Sequence, residues 1–122
     1  MNIPNIPLNY KCTYKTQYNG SNRAAWICIG KDANNHLFFG QVGSTALGIF
    51  RKVNGTNTGM ATQNVLTQSV EYLHTFQYES GALSLNVNNT TLTANYTLTE
   101  RDYVYLNVDS NNHIKELKIK PL

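Results

Sequence analysis

The stretch LSLNV, residues 83–87, decides the fold because its side chains alternate strictly between apolar and polar. In an extended chain, the three apolar side chains fall on one face and the two polar ones on the other. Such alternation is typical of antiparallel strands with one face on a core and one in water. The stretch YVYLNV, residues 103–108, repeats the pattern, with Tyr103, Tyr105 and Asn107 on its wet face.

The same period of two extends over most of the 122 residues. Nine segments rich in Tyr, Thr, Val, Ile and Leu are separated by Asn, Gly, Ser and Asp. The segments cover residues 10–18, 24–31, 37–42, 46–53, 70–79, 82–88, 91–99, 102–108 and 113–120. With no convincing helical period, we predict an all-β fold, a two-sheet antiparallel β-sandwich. Residues 54–69 have no period and are predicted to form a long loop.

The length suits one domain, since a chain of this size buries roughly two-thirds of its unfolded surface. We predict a single β-sandwich domain over residues 10–122, preceded by a linker or N-terminal extension over residues 1–9. No apolar run approaches the ~20 residues of a membrane span, so no membrane insertion is expected. The two cysteines, Cys12 and Cys28, have no metal-ligand spacing and are expected to be free, partly buried thiols.

The composition favours a neutral, hydrogen-bonding surface, because 17 Asn and 13 Thr accompany only 14% charged residues. Neutral, hydroxyl-rich ligands suit such a surface, although a genome rich in Asn codons would produce the same composition. The net charge is +3, but only Lys115, Lys118 and Lys120 come close to a basic cluster. No nucleic-acid partner is therefore predicted.

The pentapeptides DANNH, residues 32–36, and DSNNH, residues 109–113, share the pattern Asp-x-Asn-Asn-His. Asp at the first position of a turn accepts hydrogen bonds from the backbone, and Asn tolerates the left-handed conformation. Each pentapeptide offers one carboxylate and lacks the Gly and Glu of a calcium loop. Both are predicted to be hairpin turns, and neither a metal nor a cofactor is expected.

The sequence contains no recognisable catalytic signature. Glycoside hydrolases require two carboxylates across a cleft, and the seven acidic residues form no such pattern. No Ser-His-Asp arrangement, Cys-His pair or phosphate loop is recognisable. We therefore expect a protein that is not an enzyme and has no catalytic residues.

Four stretches carry a resemblance to a known fold family: WICIGKDANNHLFFG, GIFRKVNG, VEYLHTFQYESGALSLNVNN and NNHIKELKIKPL. In this order they resemble the concanavalin A-like jelly-roll domains, which include laminin-G-like and lectin-like modules. The resemblance spans about residues 10–121 and implies a carbohydrate-binding or cell-surface-recognition module of a phage tail, baseplate or adhesin. It further implies an extracellular or virion-surface location and multivalent glycan binding through a homo-oligomer or larger assembly. The alternatives are a structural or assembly module and, third, a glycoside hydrolase.

The single tryptophan, Trp26, is the candidate sugar platform, because flat aromatic rings cover the apolar faces of sugars. If residues 10–18 and 24–31 form a hairpin, a two- or four-residue turn within YNGSNR leaves Trp26 on the polar face, and a three-residue turn buries it. The first arrangement predicts a site for a neutral or weakly charged glycan. Its predicted residues are Trp26, Tyr103, Tyr105, Asn107 and Gln41.

Overall fold

The computed structural model describes residues 6–19, 25–43 and 45–122, and within these ranges the chain forms ten strands and no helix. The strands are β1 (Tyr10–Gln17), β2 (Ala25–Asp32), β3 (Asn35–Gln41), β4 (Ala46–Val53), β5 (Thr56–Asn64), β6 (Tyr72–Glu79), β7 (Ala82–Val87), β8 (Thr90–Asn95), β9 (Tyr103–Val108) and β10 (His113–Pro121). Among the described residues, no helix is long and apolar enough to cross a membrane.

The strands form two five-stranded antiparallel sheets that pack face to face. Sheet A has the order β10-β1-β6-β7-β8, and sheet B has the order β5-β4-β3-β2-β9. Leu83, Leu85 and Val87 are buried between the sheets, as their alternation predicts. The predicted all-β, two-sheet sandwich is confirmed.

The expected hairpin between β1 and β2 is wrong, because the two strands belong to different sheets. β1 pairs with β6 and β10 instead, and β2 pairs with β3 and β9. The connection at residues 20–24 lies outside the described residues. A strand with one apolar face packs equally well in either layer, so turn residues between two strands do not decide which sheet each one joins.

The predicted long loop over residues 54–69 is also wrong, since β5 occupies most of it. β4 and β5 form a hairpin in which Val53 pairs with Thr56. Asn54 and Gly55 close it with φ values of 50° and 80°, the left-handed conformations of a type I′ turn. β5 is an edge strand with mostly exposed side chains, so its sequence has no apolar alternation.

The two Asp-x-Asn-Asn turns connect their flanking strands in different ways. Asp32 forms the predicted hairpin turn between β2 and β3, and its Oδ1 accepts from the Asn34 backbone N at 2.9 Å and from Asn35 Nδ2 at 3.1 Å. The turn at residues 109–112 is not a hairpin, because it leads from β9 in sheet B to β10 in sheet A. The same local turn chemistry therefore serves two topologies.

Residues 6–9, assigned by the sequence to an N-terminal extension, pack on the sandwich. Ile6 is part of the hydrophobic core. Asn9 accepts two hydrogen bonds, from the Leu122 backbone N to its carbonyl oxygen at 3.2 Å and from the Ser80 backbone N to its Oδ1 at 2.9 Å. In the described chain, the structured part therefore begins before Tyr10.

Candidate functional site

The outer face of sheet B carries a grid of aromatic and polar side chains. Three cross-strand rows of β3, β2 and β9 share this face: Gly40–Trp26–Asn107, Phe38–Cys28–Tyr105 and His36–Gly30–Tyr103. The outward residues alternate with buried ones that point into the core, such as Ile27 and Ile29. The alternation of side chains along the strands of sheet B therefore places all of these residues on one surface.

Trp26 lies on this outer face and is partly exposed. Trp26 thus lies on the polar face, as predicted for a two- or four-residue turn between β1 and β2. Its orientation has another cause, however, because β2 pairs with β3 and β9 and forms no hairpin with β1. Asn107 pairs directly with Trp26, and Tyr105 and Tyr103 follow in the next two rows. The structure thus brings four of the five predicted site residues together.

Aromatic contacts connect the surface across four strands. The ring centroids of Trp26 and Phe38 are 5.3 Å apart, and Phe38 stacks on Phe50 of β4 at 5.0 Å. The ring centroid of Tyr103 lies 5.4 Å from that of His36 and 6.3 Å from that of Tyr105. Because these rings support one another, the exposed rings are held in place before any ligand binds.

Gly48 and Gly59, which have no side chains, leave room for the Phe50 ring on the sheet. A Cβ on Gly48 would lie 2.8 Å from Phe50 Cε1, and one on Gly59 would lie 3.2 Å from its Cε2. The ring therefore occupies space that side chains would fill at these two positions. The aromatic surface consequently extends as far as β5.

A shallow groove of about 240 Å³ runs over this surface. Its lining residues are Trp26, Cys28, Ala33, His36, Phe38, Lys52, Asn57, Tyr103, Tyr105 and Asn107. The volume is below the ~300–1,000 Å³ of clefts that enclose drug-sized ligands. A ligand here would dock against the surface and remain partly in solvent.

The sequence reasoning missed His36, Phe38, Lys52 and Asn57. The run LFF, residues 37–39, is uniformly apolar, so it hides the alternation that turns His36 and Phe38 outward. Asn57 fell within the supposed loop. The Asn54-Gly55 pair, a strong hairpin signal, could have revealed the β4–β5 pairing that brings Asn57 beside Lys52.

The groove is lined mainly by neutral groups. Burial raises the pKa of the Cys28 thiol to about 12, so Cys28 is not a thiolate nucleophile at neutral pH. Burial also raises the pKa of Tyr103, which therefore keeps its hydroxyl proton. Burial lowers the pKa of His36, which favours its neutral form. His36 Nδ1–H donates to the Asp32 backbone carbonyl at 3.1 Å, which leaves Nε2 as an acceptor.

Gln41 requires a correction, because it does not lie beside Trp26. Its side chain is fully buried between the sheets, where Thr16 Oγ1 donates to Gln41 Oε1 at 3.1 Å. Along β3, Leu37 and Phe39 point into the core, and Gln41 shares their parity. Gln41 was assigned to the site from its residue type alone, and that prediction placed it on the wrong face of sheet B.

Within residues 6–19, 25–43 and 45–122, no group of three or more His, Cys, Asp or Glu side chains is arranged to hold a metal ion.

No family model and no curated protein matches the sequence. Solved structures, however, share its fold. The carbohydrate-binding module CBM66 from Bacillus subtilis is similar over 93% of this chain and 76% of its own, with a TM-score of 0.75 and 10% identity. Ligand-free congerin I is similar over 98% of both chains, with a TM-score of 0.69 and 13% identity. A complex of toad ovary galectin with N-acetylgalactose covers 91% of this chain and 89% of its own, with a TM-score of 0.67 and 12% identity.

These similarities define the class of protein by its fold. The chain has the concanavalin A-like jelly-roll fold found in lectins, as the sequence resemblance implied. At these identities the likeness concerns the fold alone, so the function rests on the chemistry of the groove.

Proposed function

We propose that this protein is a non-catalytic glycan-binding module whose ligand docks in the groove on the outer face of sheet B. The observation that carries the proposal is the convergence of Trp26, Tyr103, Tyr105 and Asn107 on one groove. Tyr105 is 52% exposed, and Trp26 rests on Phe38. A supported, partly exposed aromatic cluster suits the C–H face of a sugar ring.

Polar groups around the rings supply the hydrogen bonds that sugar hydroxyls require. The Asn107 side chain can both donate and accept, and the Nε2 atom of neutral His36 accepts. The Tyr103 ring lies beside His36, and its hydroxyl adds a group that both donates and accepts. Stacking would hold a sugar on the surface, and these groups would select its hydroxyl pattern.

The fold supports a binding role, since the similar structures include a carbohydrate-binding module and a galectin complexed with N-acetylgalactose. A hydrolase is disfavoured because the described residues of the groove lining include no Asp or Glu, and glycoside hydrolysis uses a pair of carboxylates.

The proposed setting is a cell-surface-recognition assembly such as a phage tail, baseplate or adhesin, outside the cell or on a virion. The shallow groove supports this proposal indirectly. Stacking plus a few hydrogen bonds supports dissociation constants of about millimolar to micromolar. Several linked copies, in a homo-oligomer or larger assembly, would raise the avidity by about 10²- to 10⁴-fold.

The test is a glycan array followed by calorimetry with the best ligand. Trp26→Ala should weaken glycan binding by about 10-fold or more, because the stacking surface is lost. Its cost in unfolding free energy should stay below the ~3–5 kcal/mol typical of a buried Trp, since Trp26 is outside the core.

Leu73→Ala is the matched control, because Leu73 is 54% exposed on the outer face of sheet A. It should leave glycan affinity unchanged. Absence of binding to any glycan, together with an oligomer that dissociates in the Trp26→Ala variant, would replace the proposal with an assembly role.

A further inference from the structure

Lys52 is a charged side chain at the edge of the aromatic groove. It lies on β4, where it pairs with His36 of β3 and Asn57 of β5. Burial is the main cause of the lowered pKa of His36, and the Lys52 charge adds to it. Burial raises the pKa of Cys28, and the Lys52 charge acts in the opposite direction. Since these two side chains form part of the groove floor, the Lys52 ammonium lies close to the ligand surface.

Among the described residues that line the groove, Lys52 is the only Lys, Arg, Asp or Glu. No ion pair joins it to any residue in the described part of the chain. In contrast, Lys15 pairs with Glu116 at 2.8 Å, and Lys115 pairs with Glu71 at 2.9 Å. A partly buried lysine without an ion-pair partner makes a groove attractive to an anion.

The acidic group at this end of the groove is Asp32, and its carboxylate is already engaged. Its Oδ1 accepts hydrogen bonds from Asn34 N and Asn35 Nδ2 within the β2–β3 turn. These hydrogen bonds lower the pKa of Asp32 and hold its charge in the turn. Asp32 therefore stabilises its own turn and does not neutralise Lys52 through an ion pair.

We infer that the glycan bound in this groove carries a carboxylate, as a sugar acid does, and that Lys52 and Asn57 bind it. The inference rests on the proposed function and narrows its ligand class. One positive charge without an ion-pair partner in the described residues matches one carboxylate, whereas a phosphate monoester would bring a charge of about −1.5 to −2.

The sheet geometry also bears on ligand length. The backbones of Trp26 and Lys52 are two rows and two strands apart, which is ~13 Å along the strands and ~10 Å across them. This separation suits a ligand of two or more linked sugars, with one on Trp26 and the acidic one near Lys52.

The test uses an array of uronate- and sialate-bearing oligosaccharides, each printed beside its carboxyl-reduced counterpart. The wild-type protein should bind acidic members about 10-fold more tightly than their reduced partners, the effect of one charge-assisted hydrogen bond. Lys52→Met, which keeps most of the aliphatic stem, should abolish this preference. The preference should also shrink as salt is raised.

Lys120→Met is the matched control, because it removes the same charge from an exposed position on β10 of sheet A. It should keep the preference for acidic members. Equal binding of acidic and reduced members, unchanged by Lys52→Met, would overturn the carboxylate inference while the glycan-binding function stands. No binding to either set, by wild-type or variant protein, would overturn both.

Discussion

At position 74, a histidine is fully buried between the sheets. Its ring stacks on Tyr14 with centroids 4.9 Å apart. Thr16 Oγ1 donates to Gln41 Oε1, so it accepts from His74 Nε2–H, at 2.7 Å. Burial lowers the pKa of His74 to about 3, and the imidazole is therefore neutral in the folded protein at physiological pH.

This burial predicts a loss of stability in mild acid. Above pH ~6.5 the histidine is neutral in both the folded and unfolded states and contributes no pH dependence. Below that pH only the unfolded state takes up the proton, so the free energy of unfolding should fall by up to roughly 1.4 kcal/mol per pH unit until the folded pKa is reached. Urea unfolding at pH 7, 6 and 5 measures the slope.

The substitution His74→Gln should flatten this slope, and the surface substitution His113→Gln should not. An NMR titration of the folded wild-type protein provides an independent check, because the His74 signal should not move above pH 5. A His74 signal that titrates near pH 6.5 would contradict the buried, neutral assignment.

At the scale of single elements, the β4–β5 hairpin depends on the conformation of its turn. Gly55 has a φ of 80°, and a Cβ there would meet nothing closer than Asn34 Oδ1 at 3.6 Å. Space is therefore available, and only the left-handed conformation opposes a side chain. Gly55→Ala should cost about 1–2 kcal/mol in unfolding free energy, as measured by urea denaturation.

Gly43→Ala offers a control with similar space but no left-handed φ, since its Cβ would lie 3.6 Å from Ala46 Cβ. It should change the unfolding free energy by much less. Equal costs for the two variants would mean that turn strain does not explain the Gly55 effect.

At the scale of the whole molecule, the two sheets depend on one shared core. Phe39 of sheet B stacks on Phe76 of sheet A, with ring centroids 3.6 Å apart and planes at 4°. Both side chains are fully buried. Phe76→Ala should therefore cost about 3–5 kcal/mol, and both the wild-type and variant proteins should unfold in a single calorimetric transition, because neither sheet retains a core alone.

Leu73→Ala on the same strand is the control and should change stability by no more than about 0.5 kcal/mol, since Leu73 is largely exposed. Two separate transitions in either protein would show that the sheets unfold independently.

Much of the candidate site was predictable because strand alternation is a local property. The wet face of residues 103–108 was readable from the sequence, and Tyr103, Tyr105 and Asn107 do lie together. Gln41, in contrast, was assigned by residue type, and its burial beside Thr16 follows from the parity of β3. His36 and Lys52 could not be grouped with Trp26 before the pairing of β2, β3 and β4 was known.

The all-β class and most strand positions follow from the order of polar and apolar residues, since the two-residue period of a strand needs no distant partner. The separation of β1 and β2 into different sheets, the passage of the chain from β9 to β10 between sheets, and the place of Lys52 beside His36 emerge only in the folded molecule. The physical reason is that strand pairing and layer packing join residues far apart in the chain, and many pairings satisfy the same local alternation.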